Sequence, residues 1–169
     1  MRHHRHQYAL AFANWGIPLA SAIPAEFVMR IVEPADLSSL AELMLESYRN
    51  TIDYEGEELT EAIEEVHRYF SPGSEDPPLL GHSVLVSTGS TLRCACLVKQ
   101  WHRRQCPLVG YVMCHPDWKR RRLAALALTE SLRRLKEAGF NQVRAVITEG
   151  NVASERLFLR AGFRRLTYP

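Results

Sequence analysis

The sequence predicts one mixed α/β domain, a central and mostly antiparallel sheet flanked by about four helices. Two observations carry that expectation. The 169 residues are 46% hydrophobic, enough to bury a core without disulfide or metal staples and too mixed in composition for a disordered chain. Strand and helix periodicities then succeed one another as strand, two helices, three strands, long helix, strand, short helix and strand.

Phe27 to Val32 reads as the first of these strands. Glu33-Pro34-Ala35-Asp36 opens a helix, with proline at its start and an acid in its first turn, and Leu37, Leu40, Met44 and Tyr48 form its buried stripe. A second helix from about Glu57 places Leu59, Ile63, Val66 and Phe70 inward and Glu58, Glu61, Glu64 and Glu65 toward water or a ligand. Ser71-Pro72-Gly73 stops it. His82 to Ser87, Leu92 to Lys99 and Leu108 to Cys114 are strand candidates, the first two joined by the turn Thr88-Gly89-Ser90. Residues 119 to 138 form the longest amphipathic helix, with Ala124, Ala127, Leu128, Leu132 and Leu135 on one side and Gly139 as the cap beyond its end. Val143 to Thr148 is a strand, a helix from about Asn151 ends at Gly162, and Phe163 to Tyr168 is a last strand.

Residues 1–26 are expected to be a poorly ordered N-terminal extension, the domain occupying 27–169, with Met29 an alternative start. A basic segment, an apolar run and Ala20-Ser21-Ala22 together have the look of a cleaved leader. Asn14, Gly16 and Pro18 interrupt that run, which is too short and broken to span a bilayer, so the expected location is cytoplasmic.

Charge divides the chain. Residues 1–98 carry 6 Lys/Arg against 14 Asp/Glu, and residues 99–169 carry 15 against 5. The second half suits an anionic ligand and the first a cationic one, or the halves complement each other when packed. Cys94, Cys96, Cys106 and Cys114 match no paired Cys-x-x-Cys spacing, so they read as buried thiols and no metal is expected.

The chemistry concentrates where a strand runs into the long helix through His115-Pro116-Asp117-Trp118-Lys119-Arg120-Arg121-Arg122-Leu123-Ala124. A helix N-terminus offers free N–H groups and a positive dipole end to an anion. GxGxxG, GxxxxGK[ST] and GxSxG are absent, which leaves dinucleotide-binding, P-loop and hydrolase readings without their minimum signals. The basic run is a phosphate cradle, a solvated helix start or, with no interleaved aromatics to favour it, a nucleic-acid patch.

This segment and helix, followed by Gly139-Phe140, a strand, Thr148-Glu149-Gly150-Asn151-Val152-Ala153-Ser154-Glu155-Arg156-Leu157-Phe158 and Ala161-Gly162-Phe163, resemble the acyl-CoA-binding half of the GNAT acetyltransferase superfamily. The resemblance implies transfer of an acetyl group from acetyl-CoA to an amine by direct attack. It implies that Val112, Met113 and Cys114 hold the pantetheine arm and polarise the thioester carbonyl through backbone N–H groups. The pyrophosphate cradle falls on Lys119, Arg120, Arg121, Arg122, Leu123 and Ala124, with Arg122 standing where the family has glycine and Arg120 where many relatives have a further glycine. Asn151 bonds the pantetheine or caps the next helix. Phe158 stands where the family often has a tyrosine that protonates the departing thiolate.

Glu149 is the first candidate for a general base, and Tyr54, Asp53 and Glu55 are further ones. The acidic stretch Asp53 to Glu58 lies where the resemblance puts the acceptor entrance, favouring a cationic small-molecule or peptide amine. Many family members continue into another strand after the last Gly-Phe. Part of the acceptor wall would therefore come from a partner chain, as in a homodimer, or be absent. A non-catalytic acyl-CoA-binding module is the alternative reading.

Overall fold

A computed structural model describes residues 4–18 and 22–167. Ala20 and Ser21 of the leader-like element, and Tyr168 of the expected last strand, lie outside those residues. Seven strands and four α-helices are present among them: β1 Arg5–Ala11, β2 Val28–Ile31, α1 Leu37–Tyr48, α2 Leu59–Phe70, β3 Val84–Thr88, β4 Thr91–Trp101, β5 Cys106–Cys114, α3 Leu123–Glu137, β6 Gln142–Thr148, α4 Val152–Arg160 and β7 Arg164–Arg165. One sheet runs β2-β3-β4-β5-β6-β1-β7, antiparallel except where β5 meets β6.

The expectation for residues 1–26 fails at its centre. β1 pairs with β6 along its whole length, from Arg5 opposite Thr148 to Ala11 opposite Gln142, and with β7 through Tyr8–Arg165 and Ala9–Arg164. Tyr8, Leu10, Phe12 and Trp15 are buried in the main core. Burial repays the ordering of this segment, because each large side chain removed from water contributes roughly 1.5–3 kcal/mol. The strand sought beyond the last Gly-Phe is thus supplied by the same chain's N-terminus, and regular structure begins well before Met29.

Alternation along the strands sorts side chains to two layers. Cys94, Cys96 and Val98 of β4 face α3, where Ala127, Leu128, Leu132 and Leu135 close the layer, while Ala95 and Leu97 face Leu40, Met44 and Val66 of α1 and α2. Cys94 and Cys114 sit opposite each other on β4 and β5, and burial pushes the Cys96 thiol up to about 12. The α2 stripe is rotated from the expected one: Ala62, Val66 and Tyr69 are buried, whereas Leu59 is 43% and Ile63 36% exposed. Tyr69 wins the inner face because its hydroxyl finds the Ser83 hydroxyl at 2.7 Å and the Val98 carbonyl at 2.9 Å. Among the described residues no helix is long and apolar enough to cross a membrane.

The start of α1 is fixed by a charged clamp. Asp36 is nearly buried and accepts two hydrogen bonds from the Arg30 guanidinium, at 2.6 and 2.8 Å, and one from the Glu33 N–H at 2.8 Å. Burial alone would raise its pKa, but these donors together hold it below the ordinary carboxylate value. A depressed carboxylate stabilises the fold above its unfolded pKa and loses that contribution as pH falls. Asp36→Asn is therefore expected to cost about 1–2 kcal/mol at neutral pH, the lower half of the range for charge-assisted bonds because the Arg30 side chain is 40% exposed. Urea melts should show the gap between variant and wild type closing below about pH 4.

Candidate active site

β5 and β6 run parallel and pair only at Leu108–Arg144 and Val109–Ala145. Beyond Val109 and Ala145 each strand keeps its outer neighbour, β4 or β1, and the two part. Beside this parting lies a cavity of about 750 Å³, walled by the end of α1, the following loop, α2, the C-terminal part of β5, the end of β6 and the start of α4. Arg5 of β1 and Lys99 of β4 also reach it.

On the C-terminal side of β5, Pro116–Trp118 make a short turn whose first N–H groups are met by His115, Nδ1 accepting from the Asp117 N–H at 3.3 Å. Helix α3 begins at Leu123, four residues later than the periodicity predicts, because Lys119–Arg122 are spent on the loop. Arg120 has φ 62° and Arg122 φ 64°, the left-handed backbone that glycine adopts freely. Arginine thus keeps the cradle's backbone path at a steric cost of about 1 kcal/mol per residue. Leu123 is buried and anchors the helix start, so its side chain is not available to a ligand; Ala124 is half-buried beside it.

The four basic residues do not form one free row. The guanidiniums of Arg121 and Arg93 sandwich the Trp118 ring at 4.5 and 4.7 Å from its centroid, and Phe27 meets its edge at 5.5 Å. All four are exposed around the N-terminus of α3, and Arg121 is the one held on the Trp118 ring. Such a loop can hold a diphosphate by backbone N–H groups, the helix dipole and guanidinium bonds together. On β5, Val112 lines the cavity, while Met113 sends its side chain into the α1–α2 layer and Cys114 packs toward α3, so the last two offer backbone groups to a ligand lying along the strand.

Other sequence candidates separate. Tyr54 lines the cavity, with its hydroxyl donating to the Glu57 carbonyl at 3.2 Å. Asn151 also lines it, but both ends of its amide are engaged: Oδ1 accepts from the Ser154 N–H at 3.1 Å, capping α4, and Nδ2 donates to Asp53 at 2.7 Å. Phe158 is a packed ring at the cavity floor, edge-on to Phe163 at 5.0 Å. Glu149 stands apart from these. It lies past the end of β6 with its carboxylate 62% exposed and 3.8 Å from the His6 ring, and its N–H bonds the His4 carbonyl at 2.8 Å; it does not line the cavity. The N-terminal strand, unassigned in the sequence, draws it outward.

In its place the cavity gathers residues that sequence reasoning passed over. Tyr111 of β5 donates its hydroxyl to Glu65 of α2, whose other oxygen meets Arg68. Burial first, then that bond, push the Tyr111 phenol up, and burial and Asp53 do the same for Tyr48. Spacing did carry a signal for one of these walls. Glu61 and Glu65 stand four residues apart on α2, which puts two carboxylates on a single helical face, and Glu57 precedes them by the same interval just before the N-cap.

The sheet thus parts beside a helix N-terminus suited to an anion, with a cavity beside the gap. The chain belongs to the Acetyltransferase (GNAT) family, whose sequence pattern matches residues 37–163. No curated protein matches it. Solved structures similar to it include a GCN5-related N-acetyltransferase from Sphaerobacter thermophilus, 16% identical over 96% of this chain with a TM-score of 0.72. The PaiA N-acetyltransferase from Thermoplasma acidophilum in complex with coenzyme A is 19% identical, over 85% of this chain and 92% of its own, with a TM-score of 0.66. The ribosomal-protein-S18-alanine N-acetyltransferase from Escherichia coli is 16% identical, over 83% and 79%, with a TM-score of 0.59. At these identities the likeness concerns the fold. The chain spans about half, 48%, of the Sphaerobacter protein's length.

Proposed function

We propose that this protein transfers the acetyl group of acetyl-CoA to a cationic primary amine. The observation that carries the reading is the parting of β5 and β6 at Val109 and Ala145, flanked by the left-handed loop at the start of α3 on one side and the acidic cavity on the other. Lys119, Arg120 and Arg122, with the N–H groups of Leu123 and Ala124, hold the diphosphate, and the backbone from Val112 to Cys114 aligns the acyl arm and polarises its carbonyl. Glutamates 57, 61, 64 and 65 give the acceptor side its negative field, which favours an ammonium group over a neutral or anionic competitor. With phenylalanine at 158, the thiolate leaves without a phenol at that position, a tolerable step for a thiol of pKa about 8.5.

A second reading, an acyl-CoA-binding module without turnover, draws on Phe158 and on the two arginines in glycine positions. Calorimetry with acetyl-CoA, followed by thiol release in the presence of spermidine, kanamycin or a lysine peptide, separates the two. The transferase reading expects micromolar binding and amine-dependent thiol release. Binding without release from any amine supports the module, and no binding up to millimolar acetyl-CoA removes both.

A further inference from the structure

We propose that Glu65 takes the proton from the acceptor ammonium and that Tyr111 positions it, an assignment resting on the transferase reading above. Five carboxylates line the cavity, and most are already employed in holding the chain. Asp53 accepts from the Asn151 amide at 2.7 Å, Glu57 from the Glu55 N–H at 2.9 Å, and Glu61 from the Glu58 N–H at 2.6 Å in the capping box of α2. Glu64 is exposed at the rim. Glu65 is half-buried, and its Oε1 is tied to the hydroxyl of Tyr111, two residues beyond the point where β5 leaves β6. Of the five, it alone is fastened directly to the strand that carries the parting.

Its remaining capacity fits the task. Tyr111 occupies one lone pair of Oε1 and Arg68 one of Oε2, and each carboxylate oxygen has two, so an ammonium can be bound without displacing either partner. Tyr111, its phenol pushed up by burial and by this bond, keeps its proton and remains a donor. Other charged or titratable groups facing the same space are Tyr48 at the end of α1, Asp53, Tyr54 and Glu57 in the loop, Glu61 and Glu64 on α2, Lys99 on β4 and Arg5 on β1.

In the step itself, Glu65 accepts one proton from the ammonium. The freed nitrogen forms a bond to the thioester carbonyl carbon as the carbon–sulfur bond breaks, and the sulfur leaves with that electron pair. The nitrogen's surplus proton goes to the thiolate, and Glu65 returns its own to solvent. The products are the acetylated amine, CoA thiol and one released proton.

The test is a pH–rate profile for wild type, Glu65→Gln, Glu65→Asp and Tyr111→Phe with acetyl-CoA and the three amines named above. Glu65→Gln is expected to lose at least about 100-fold in kcat/KM near neutral pH and to regain it as pH nears about 10, where an alkylamine deprotonates unaided. Glu65→Asp should retain part of the rate. Tyr111→Phe should lose about tenfold in kcat with the amine KM little changed, since the carboxylate keeps its charge but loses the donor that holds it in place. Acetyl-CoA affinity, measured by calorimetry, should stay within about twofold of wild type in all three, which also establishes that they fold. A wild-type rate and profile in Glu65→Gln overturns the assignment and leaves the transferase reading standing. Wild-type protein that acetylates none of the amines at any pH removes that reading and the assignment with it.

Discussion

A chain shortened to begin at Met29 will yield no soluble protein with a cooperative unfolding transition. β6 is held on one side by seven residue pairs with β1 and on the other by only two with β5, and β7 pairs with β1 alone. Removing β1 therefore strips β6 of most of its ladder and β7 of all of it, and opens the core where Tyr8, Leu10, Phe12 and Trp15 were packed. Trp15 fastens the segment: its indole N–H donates to the Ala161 carbonyl at 2.9 Å, its own carbonyl accepts from Lys136 at 2.7 Å, and its ring lies against Gly162. Gly162, at φ 102°, has no room for more, since an added Cβ would meet Leu10 and Trp15 at 3.2 Å. Trp15→Ala alone should cost about 3–5 kcal/mol, a large part of the roughly 5–15 kcal/mol that a domain has. Urea titration of the point variant and solubility of the truncated chain check both statements. A Met29-start protein that melts cooperatively near the wild-type midpoint would show that β1 is dispensable.

Arg120→Gly/Arg122→Gly should gain stability and lose acetyl-CoA. Both residues hold left-handed backbone near φ 63°, which glycine takes without a Cβ clash, so each change is expected to stabilise by at most about 0.5 kcal/mol after glycine's larger unfolded-state entropy is counted. Binding should move the other way, because each change deletes a guanidinium beside the diphosphate. Charge-assisted bonds of this kind contribute about 1.5–3 kcal/mol, so the double variant should bind at least about tenfold more weakly, with a shallower salt dependence. Chemical denaturation and calorimetry at two salt concentrations read the two effects separately. Unchanged affinity with raised stability would make the arginines a solvated helix start with no part in the cradle.

Much of this molecule was legible along the chain. Short-range periodicity gave α1, α3, α4 and the hairpin of β3 and β4 to within a few residues, since side-chain alternation and helical spacing are local properties. The cradle segment was equally visible. His115 to Ala124 combines a turn former, a basic run and the first turn of an amphipathic helix, and all three act over neighbouring residues. Even the left-handed backbone at 120 and 122 was implied by the family's glycines, although arginine holds it here.

Non-local pairing decided the rest. Arg5–Ala11 has no pattern that distinguishes it from a leader, and it is a strand because β6 and β7 offer it two ladders more than 130 residues away in sequence. That one placement moved Glu149 out of the site by giving it His6 as a neighbour, and it brought Arg5 into the cavity. Glu65 and Tyr111 stand 46 residues apart, and only the packing of α2 across β5 joins them. The sequence by itself determined the family, the order of elements from β2 onward and the basic loop that opens α3, because these rest on contacts between near neighbours. The tertiary structure decided which carboxylates line the cavity and how the sheet is completed, because those depend on which distant surfaces bury each other.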